Sequence, residues 1–561
     1  MMTGSERKTF LHKVQIFFVF ILFLAHSSLK LCAQLNEGGL PRSFTFAVPP
    51  DEKSVIQIHS PVIFDLQSED ERNPVPYRYA VNLPVDLDIR TTGHWSGVSG
   101  GTEIWRLEIF APGARAMTLY FSDFNIPSGG KLFIYNPQRT LCLGAFTERN
   151  HNHERTFASS LLPGERLILE YDEPEGGGAL PDIHISEVAY AYRGLPESSK
   201  GVRDFGQSGA CEVNINCSEG QSWQQQKQGV ARVSVKKGFN SYWCSGSLVN
   251  NVRNDGKPYF LTADHCGYGT TPADISRWIF YFHYEAPDCS NPALEPAARS
   301  MTGASLIAHG GNGGEAGSDF FLVLLKENIP DTFNVYYNGW SREITPSPSG
   351  AGIHHPEGDI QKISTYNTPL ISSDWNGHPY MSHWKVTWIQ TPNGHGVTEG
   401  GSSGSPIFDN QGHIVGTLTG GNSQCGAQYE NLPDYYGKFS YSWDQNGTDS
   451  ASVLKYWLDP DSTGIMVLDG QATAIGDLQT LNPIQCFPNP FTDQVNLRQA
   501  NAGGIISVKI YNQTGQCVYH AEPGQLTGKD IKLDLHPLSP GFYFLKVNGM
   551  QFNAVLKIIK L

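Results

Sequence analysis

The sequence predicts an all-β protein built from several domains, and three observations carry that expectation. Its 561 residues are too many for one small domain and suit three or four folding units. It contains 59 Gly and 35 Pro, with only 17% charged residues, a balance that favours short strands and tight turns over coiled coils or helical solenoids. Short runs of alternating or continuous apolar residues bounded by turn residues recur along the chain, as in IWRLEIFAPG, AMTLYFSDFN, KLFIYNPQ and RLILEYDEP. With 40 Lys plus Arg against 54 Asp plus Glu, the net charge of −14 offers no cationic surface for a phosphate backbone, so nucleic acid is excluded as a partner.

Residues 1–33 read as a signal peptide, since Arg7, Lys8 and Lys13 precede the short apolar run Ile16 to Ala25, and Ala33 supplies a small residue before Gln34. Cys32 suggests lipidation only weakly, because Leu31 is not small. No later stretch has the length of a membrane-spanning helix. Residues 34–200 read as a β-sandwich, ending in the polar, Gly-rich stretch LPESSKGVRDFGQSG. Residues 201–470 hold further strands, such as RWIFYFHY and FFLVLL. Their closing run ASVLKYWLDP spaces Val453, Leu454, Trp457 and Leu458 as one helix before Pro460. Residues 471–484 form a connector, and residues 485–561 a small β module with strand-like runs QVNLRQA, ISVKIYN, KDIKLDL and GFYFLKV.

Of ten cysteines, Cys211, Cys217, Cys244, Cys266, Cys289 and Cys425 fall in the central segment, where export favours disulfides; counting alone allows fifteen pairings. No CxxC pair or HExxH motif occurs, so neither a metal nor a cofactor is expected. His354 and His355 in IHHPEGD lack a third ligand at convincing spacing and read as structural residues.

Acyl transfer by serine needs a nucleophile, a base, an orienting acid and oxyanion donors, and the central segment has a candidate for each. Ser403 lies in GGSSGSPIFD, where the N–H groups of Gly401 and Ser403 can converge. His265 follows the strand YFLTA, and Asp319 opens the apolar strand in GSDFFLVLL, where an unpaired carboxylate would be costly. Asp264 competes as the acid, but neighbouring residues diverge at a strand end. The order His265, Asp319, Ser403 differs from the Ser-acid-His and Asp-His-Ser orders of two other hydrolase folds.

TADHC and GSSGSP resemble TAxHC and GDSGGP of chymotrypsin-like proteases. The stretches SGACEVNINCSEG, WCSGSLVNN, YFLTADHCG, SDFFLVLL, IHHPEGDIQKIS, VTEGGSSGSPIF, PDYYGKFSYSW and WLDPDSTG resemble the secreted bacterial lysyl endopeptidases more closely. This resemblance implies a chymotrypsin-like double β-barrel, a His265–Asp319–Ser403 triad and cleavage after Lys, with Arg as the alternative. It implies Asp434 as the acid of the specificity pocket, with Trp375, Thr419 and Gly420 beside the substrate; Thr419 stands where some members have His. It further implies the pairings Cys211–Cys425, Cys217–Cys289 and Cys244–Cys266. Ser402 replaces the Asp that receives the new N-terminus in trypsin-like zymogens, so that ion-pair switch is absent. Restraint is instead expected from the preceding β-sandwich, a propeptide released by cutting in SSKGVRDFG at Lys200.

CFPNPFTDQVNL, SVKIYNQTGQCVY, LSPGFYFLKV and LKIIKL resemble the type A sorting domain of the Bacteroidetes type IX secretion system. Secretion machinery and protein or peptide substrates are therefore the expected partners, with a monomeric chain by analogy. Cys486 and Cys517 could pair within this module, which leaves Cys142 unpaired in the propeptide. The competing function is a catalytically silent surface adhesin or binding protein on the same fold.

Overall fold

The computed structural model describes residues 36–45, 54–73, 76–98, 102–193, 206–375, 377–473, 484–499, 505–512, 517–521, 530–549 and 553–560. The expected signal peptide, most of the connector and Lys200 lie outside them. The chain divides into two compact units, Met1–Thr473 and Ala474–Leu561.

In the first unit, residues up to Arg193 build two facing sheets. One is six-stranded and contains Thr102–Phe110, Arg166–Asp172 and Lys131–Tyr135; the other contains Tyr77–Asp88, Asp182–Ala191 and Ala116–Asn125. Trp105, Leu107 and Ile109 from the first meet Met117, Leu119 and Phe121 from the second in one core. The run AMTLYF is buried throughout because both of its faces are covered: Met117, Leu119 and Phe121 point into the sandwich, while Ala116 and Tyr120 join a second core on the other side.

That second core is shared with the central segment. Strand Tyr77–Asp88 pairs antiparallel with Asn240–Leu248, with Tyr77 opposite Trp243 and Val81 opposite Asn240, so one twelve-stranded sheet runs from the sandwich into the first barrel. Tyr79 stacks on Trp243 at 4.0 Å, and Tyr79, Tyr120, Ala189 and Ala191 pack with Trp243, Ile279, Tyr281 and Tyr284. The hydroxyl of Tyr79 is hydrogen-bonded to Ser234 (2.7 Å) and that of Tyr120 to Ser241 (2.9 Å). Lys236 pairs with both Glu187 and Asp274.

The first barrel comprises Val230–Lys237, Asn240–Leu248, Tyr259–Thr262, Ile279–Phe282, Arg299–Thr302, Ala304–Gly310 and Phe320–Leu325, around a core that includes Val233, Phe260, Phe280 and Phe321. A ten-stranded, mainly antiparallel sheet follows, including Gly350–His354, Lys362–Tyr366, His378–Val386, Pro406–Phe408, Ile414–Gly421 and Asp434–Lys438. Disulfides join Cys211 to Cys425, Cys217 to Cys289 and Cys244 to Cys266. The helix in ASVLKYWLDP is a single turn, Lys455–Leu458, with Val453, Leu454 and Leu458 buried.

The second unit packs a three-stranded sheet (Ile484–Phe487, Gln494–Gln499, Asp530–Asp534) on a four-stranded one (Ile505–Tyr511, Cys517–Ala521, Gly541–Gly549, Asn553–Lys560). Val495, Leu497 and Leu533 meet Val508, Ile510, Leu545 and Val547 between them. The Cys486–Cys517 bond that the sequence allows is not formed. The two thiols sit on different sheets, Cys486 half-buried and Cys517 exposed; Cys142 is also free.

Candidate active site

The site lies where the first barrel meets the ten-stranded sheet, Ser245 of the former bonding to the Ser403 turn of the latter. Strand Tyr259–Thr262 ends at Ala263, and the single turn Asp264–Gly267 carries His265 out of it, with Cys266 bonded back to Cys244. Asp319 immediately precedes strand Phe320–Leu325 in a left-handed conformation, φ +53°, which costs about 1 kcal/mol or more for a residue with a Cβ. That backbone aims the carboxylate at His265. Its Oδ1 accepts the His265 backbone N–H (2.9 Å) and its Oδ2 accepts Nδ1–H (2.8 Å). Two bonds to one carboxylate orient the ring and place its proton on Nδ1, leaving Nε2 as the basic atom. Nε2 is buried without a hydrogen-bond partner. Burial pulls the imidazole pKa down, but the charge and hydrogen bond of Asp319, with the charge of Asp264, outweigh it and hold it above the usual value.

Ser403 is held by the first barrel: its carbonyl accepts from Ser245 N–H (2.8 Å), and Ser245 Oγ donates to Gly401 O (2.9 Å). Gly401 and Gly404 both adopt positive φ, +91° and +80°, and a Cβ on Gly404 would fall 2.1 Å from Thr262 Oγ1. The turn is therefore closed to larger residues. Ser403 Oγ makes no hydrogen bond to His265 Nε2 in this arrangement, although Cys266 Sγ lies 3.8 Å from Ser403 O.

Ser402 is tied to His354 instead of to a charge. Ser364 Oγ donates to Val397 O, so it accepts from His354 Nε2–H (3.0 Å); His354 Nδ1 then accepts the Ser402 hydroxyl (2.8 Å). This relay requires a neutral imidazole, and burial pushes the His354 pKa down to about 3. His355 is likewise buried, its Nδ1–H donating to Asp359 O (2.9 Å). Among the described residues no group of His, Cys, Asp or Glu side chains is placed to hold a metal ion.

Asp434 is fully buried in strand Asp434–Lys438, against Ile414–Gly421 and His378–Val386. Its Oδ2 accepts from Trp388 Nε1 (2.7 Å), Thr398 Oγ1 (2.8 Å) and Ser423 Oγ (2.5 Å), and its Oδ1 from Ser423 N (3.2 Å). Burial raises its pKa, opposed by those donors, Ser423 foremost. Trp375 rests 5.3 Å from the Tyr435 ring, and a Cβ on Gly420 would meet it at 3.4 Å. Thr419 Oγ1 is hydrogen-bonded to His383 Nε2 (2.9 Å), and burial lowers the His383 pKa to about 4. Local sequence does not announce the roles of His383, Ser245 and the Asp434 donors, because each acts on a residue from a different segment of the chain. Asp264 does not face the His265 ring; it accepts from His309 Nδ1–H and Gly313 N–H.

Residues 205–437 match the family described as Lysyl endopeptidase, C-terminal domain, and residues 485–561 the family described as Secretion system C-terminal sorting domain. A lysyl endopeptidase from Pseudomonas aeruginosa is 29% identical over 381 residues, 64% of this chain and 78% of that protein. Two solved structures are also similar. The protease Anisep from Arthrobacter nicotinovorans is 17% identical with a TM-score of 0.28, over 38% of this chain and 90% of that one. A Glu endopeptidase in complex with MPD is 17% identical with a TM-score of 0.25, over 42% and 94%. No helix among the described residues is long and apolar enough to cross a membrane. The chain is thus a serine endopeptidase homologous to the lysyl endopeptidases, with a type IX secretion sorting domain at its C-terminal end.

Proposed function

We propose that the enzyme hydrolyses peptide bonds on the carboxyl side of lysine, with arginine as a second substrate, through an acyl-enzyme on Ser403. The observation that carries this reading is the pair of hydrogen bonds that His265 donates to Asp319, from its backbone N–H and its Nδ1–H, which leaves Nε2 as the basic atom. His265 takes the Ser403 proton as the hydroxyl attacks the carbonyl carbon, and returns it to the leaving amine. The N–H groups of Gly401 and Ser403 stabilise the oxyanion. Water then attacks the ester by the same proton route, releasing the new carboxylate.

Asp434 supplies the counter-charge for the substrate cation. A carboxylate already held by three side-chain donors cannot turn away, and an ammonium or guanidinium entering its pocket stabilises the charged form there. Trp375, Thr419 and Gly420 line the approach, with His383 fixing the Thr419 hydroxyl. Residues 34–200 act as a propeptide, 201–470 as the protease domain, 471–484 as a linker and 485–561 as the sorting domain of a monomer. The sheet shared by Tyr77–Asp88 and Asn240–Leu248 is what restrains the enzyme before cutting at Lys200.

Cleavage of matched Lys, Arg, Leu and Glu peptide amides by the processed enzyme and by Ser403→Ala and Asp434→Ser tests the reading. Lys is cut best, Ser403→Ala is inert, and Asp434→Ser loses the basic preference. A processed enzyme that cuts none of them refutes it and leaves a binding protein on a protease fold.

A further inference from the structure

A second carboxylate–histidine pair adjoins the first. Asp264 precedes His265 in sequence, and its side chain is 0% exposed. Its Oδ1 accepts His309 Nδ1–H at 2.9 Å and its Oδ2 accepts Gly313 N–H at 2.7 Å. Its backbone is fixed as well, N–H donating to Asp319 O (3.1 Å) and O accepting from Tyr268 N–H (2.6 Å). His309 is the penultimate residue of strand Ala304–Gly310, and its side chain is 39% exposed, so it exchanges protons freely with solvent.

We propose that Asp264 and His309 regulate the base: a buried carboxylate beside His265 whose net charge is set by a surface imidazole, so that the proton affinity of His265 follows the protonation of His309. The inference rests on reading His265 as the general base, and both residues are positioning groups that touch no substrate.

The charged groups facing each member are few. The charges of Asp319, Asp264 and Lys237 act on His265, and those of Asp264 and Lys237 on each other; His309 is bonded to Asp264 and lies 5.9 Å from the ring of Phe321. The hydrogen bond that His309 donates to Asp264, against a smaller effect of burial, raises the His309 pKa above the usual imidazole value. An imidazolium at position 309 neutralises Asp264, and His265 then feels Asp319 alone. Loss of that proton leaves the Asp264 charge uncompensated, and His265 holds its own proton more tightly. Because His265 must be neutral to act, a charged His309 extends activity toward lower pH.

The same carboxylate seats a loop over the base. Gly313 and Gly314 adopt φ +72° and +87°, and a Cβ on Gly314 would lie 3.5 Å from His265 Cβ and 3.6 Å from Asp319 Oδ1. Asp264 holds this loop by the Gly313 N–H, so a structural role alone predicts a loss of kcat in Asp264→Asn at every pH. A regulatory role predicts a displaced pH profile.

The test is the acid limb of kcat/KM for a Lys peptide amide, measured on the processed enzyme and scaled to active sites titrated with a fluorophosphonate. His309→Asn keeps an N–H donor near the Nδ1 position without the charge, and its limb moves up by about half a unit, a threefold loss at fixed acidic pH. His309→Lys keeps the charge at all pH and moves the limb down, as does Asp264→Asn. Limbs within ~0.1 unit of wild type for both His309 variants, or displaced in the same direction, overturn the inference; both lie at the surface, so the test does not depend on Asp264→Asn folding. His265→Ala separates this from the underlying reading. If it keeps wild-type kcat/KM the base assignment falls and the inference with it, whereas an inert His265→Ala with unmoved His309 limbs refutes the inference alone.

Discussion

Replacing Asp319 by Asn keeps the size and polarity of the side chain and changes one proton, which makes it the sharpest probe of the site. Both oxygens of the carboxylate accept from His265, one from the backbone N–H and one from Nδ1–H. An amide has only one oxygen. If it keeps the backbone bond, its NH2 faces Nδ1 as a donor, and the imidazole must carry its proton on Nε2, the atom that should receive the Ser403 proton. Only the minor tautomer can then react, with two donors opposed in a site where Asp319 is 1% exposed. The loss expected for such a tautomer reversal is ~10⁴ in kcat, or about 5.4 kcal/mol at 1.36 kcal/mol per decade. KM stays within about threefold, since Asp319 contacts no substrate. The assay is steady-state cleavage of a Lys peptide amide, with a thermal melt alongside to show that the variant is folded. Retention of more than about a tenth of wild-type kcat would refute the idea that Asp319 dictates the His265 tautomer.

Further expectations follow from other contacts. Asp434→Ser leaves an entering ammonium unpaired in a buried pocket at about 4 kcal/mol, so kcat/KM for Lys falls about a thousandfold while that for Leu is little changed; an equal loss on both would contradict the pocket assignment. In Ser403→Ala the chain stays uncut at Lys200, and N-terminal sequencing that finds the same mature end in both proteins would exclude self-cleavage. His354 is held neutral with its pKa pushed down to about 3, below the unfolded value near 6.5, so the unfolded chain binds the extra proton between those limits and stability from this residue falls with pH. His354→Gln therefore costs about 1–2 kcal/mol at pH 7, and that cost shrinks by about 1.4 kcal/mol for each unit below 6.5; denaturant titrations at pH 7 and 5.5 giving the same difference would show a charged His354. Cys244→Ser with Cys266→Ser opens a loop of sequence separation 22 and lowers stability by about 3 kcal/mol, read as a lower denaturation midpoint.

Much of the strand pattern was legible in the sequence because sheet strands advertise themselves by period and by turn residues. The runs around Thr102–Phe110, Ala116–Asn125 and Phe320–Leu325 are examples. Of the site, the candidates His265, Asp319 and Ser403 were readable from local motifs, and the structure places the first two in direct contact. The left-handed backbone of Asp319 was not, since no motif announces a positive φ outside glycine. Nor were the donors that surround Asp434, because Trp388, Thr398 and Ser423 converge only after three separate segments fold together. His354 read as a structural residue, but its bond to Ser402 depends on a partner 48 positions away. Cys486 and Cys517 looked like a pair because proximity in a small module is easy to assume; which sheet each strand joins decides the matter, and periodicity does not carry that information.

The strand pairing between Tyr77–Asp88 and Asn240–Leu248 also bears on the order of events during biosynthesis. These partners lie some 160 positions apart, with Tyr79 and Trp243 stacked across the seam. A contact of that span forms late and slowly if both halves must find each other as open chain. Synthesis runs from the N-terminus, so the sandwich is complete before residue 240 emerges, and its finished edge is a template waiting for a hairpin. The first barrel is thereby offered its register by a surface already in place, and two exposed sheet edges that would otherwise invite pairing between molecules are consumed within one.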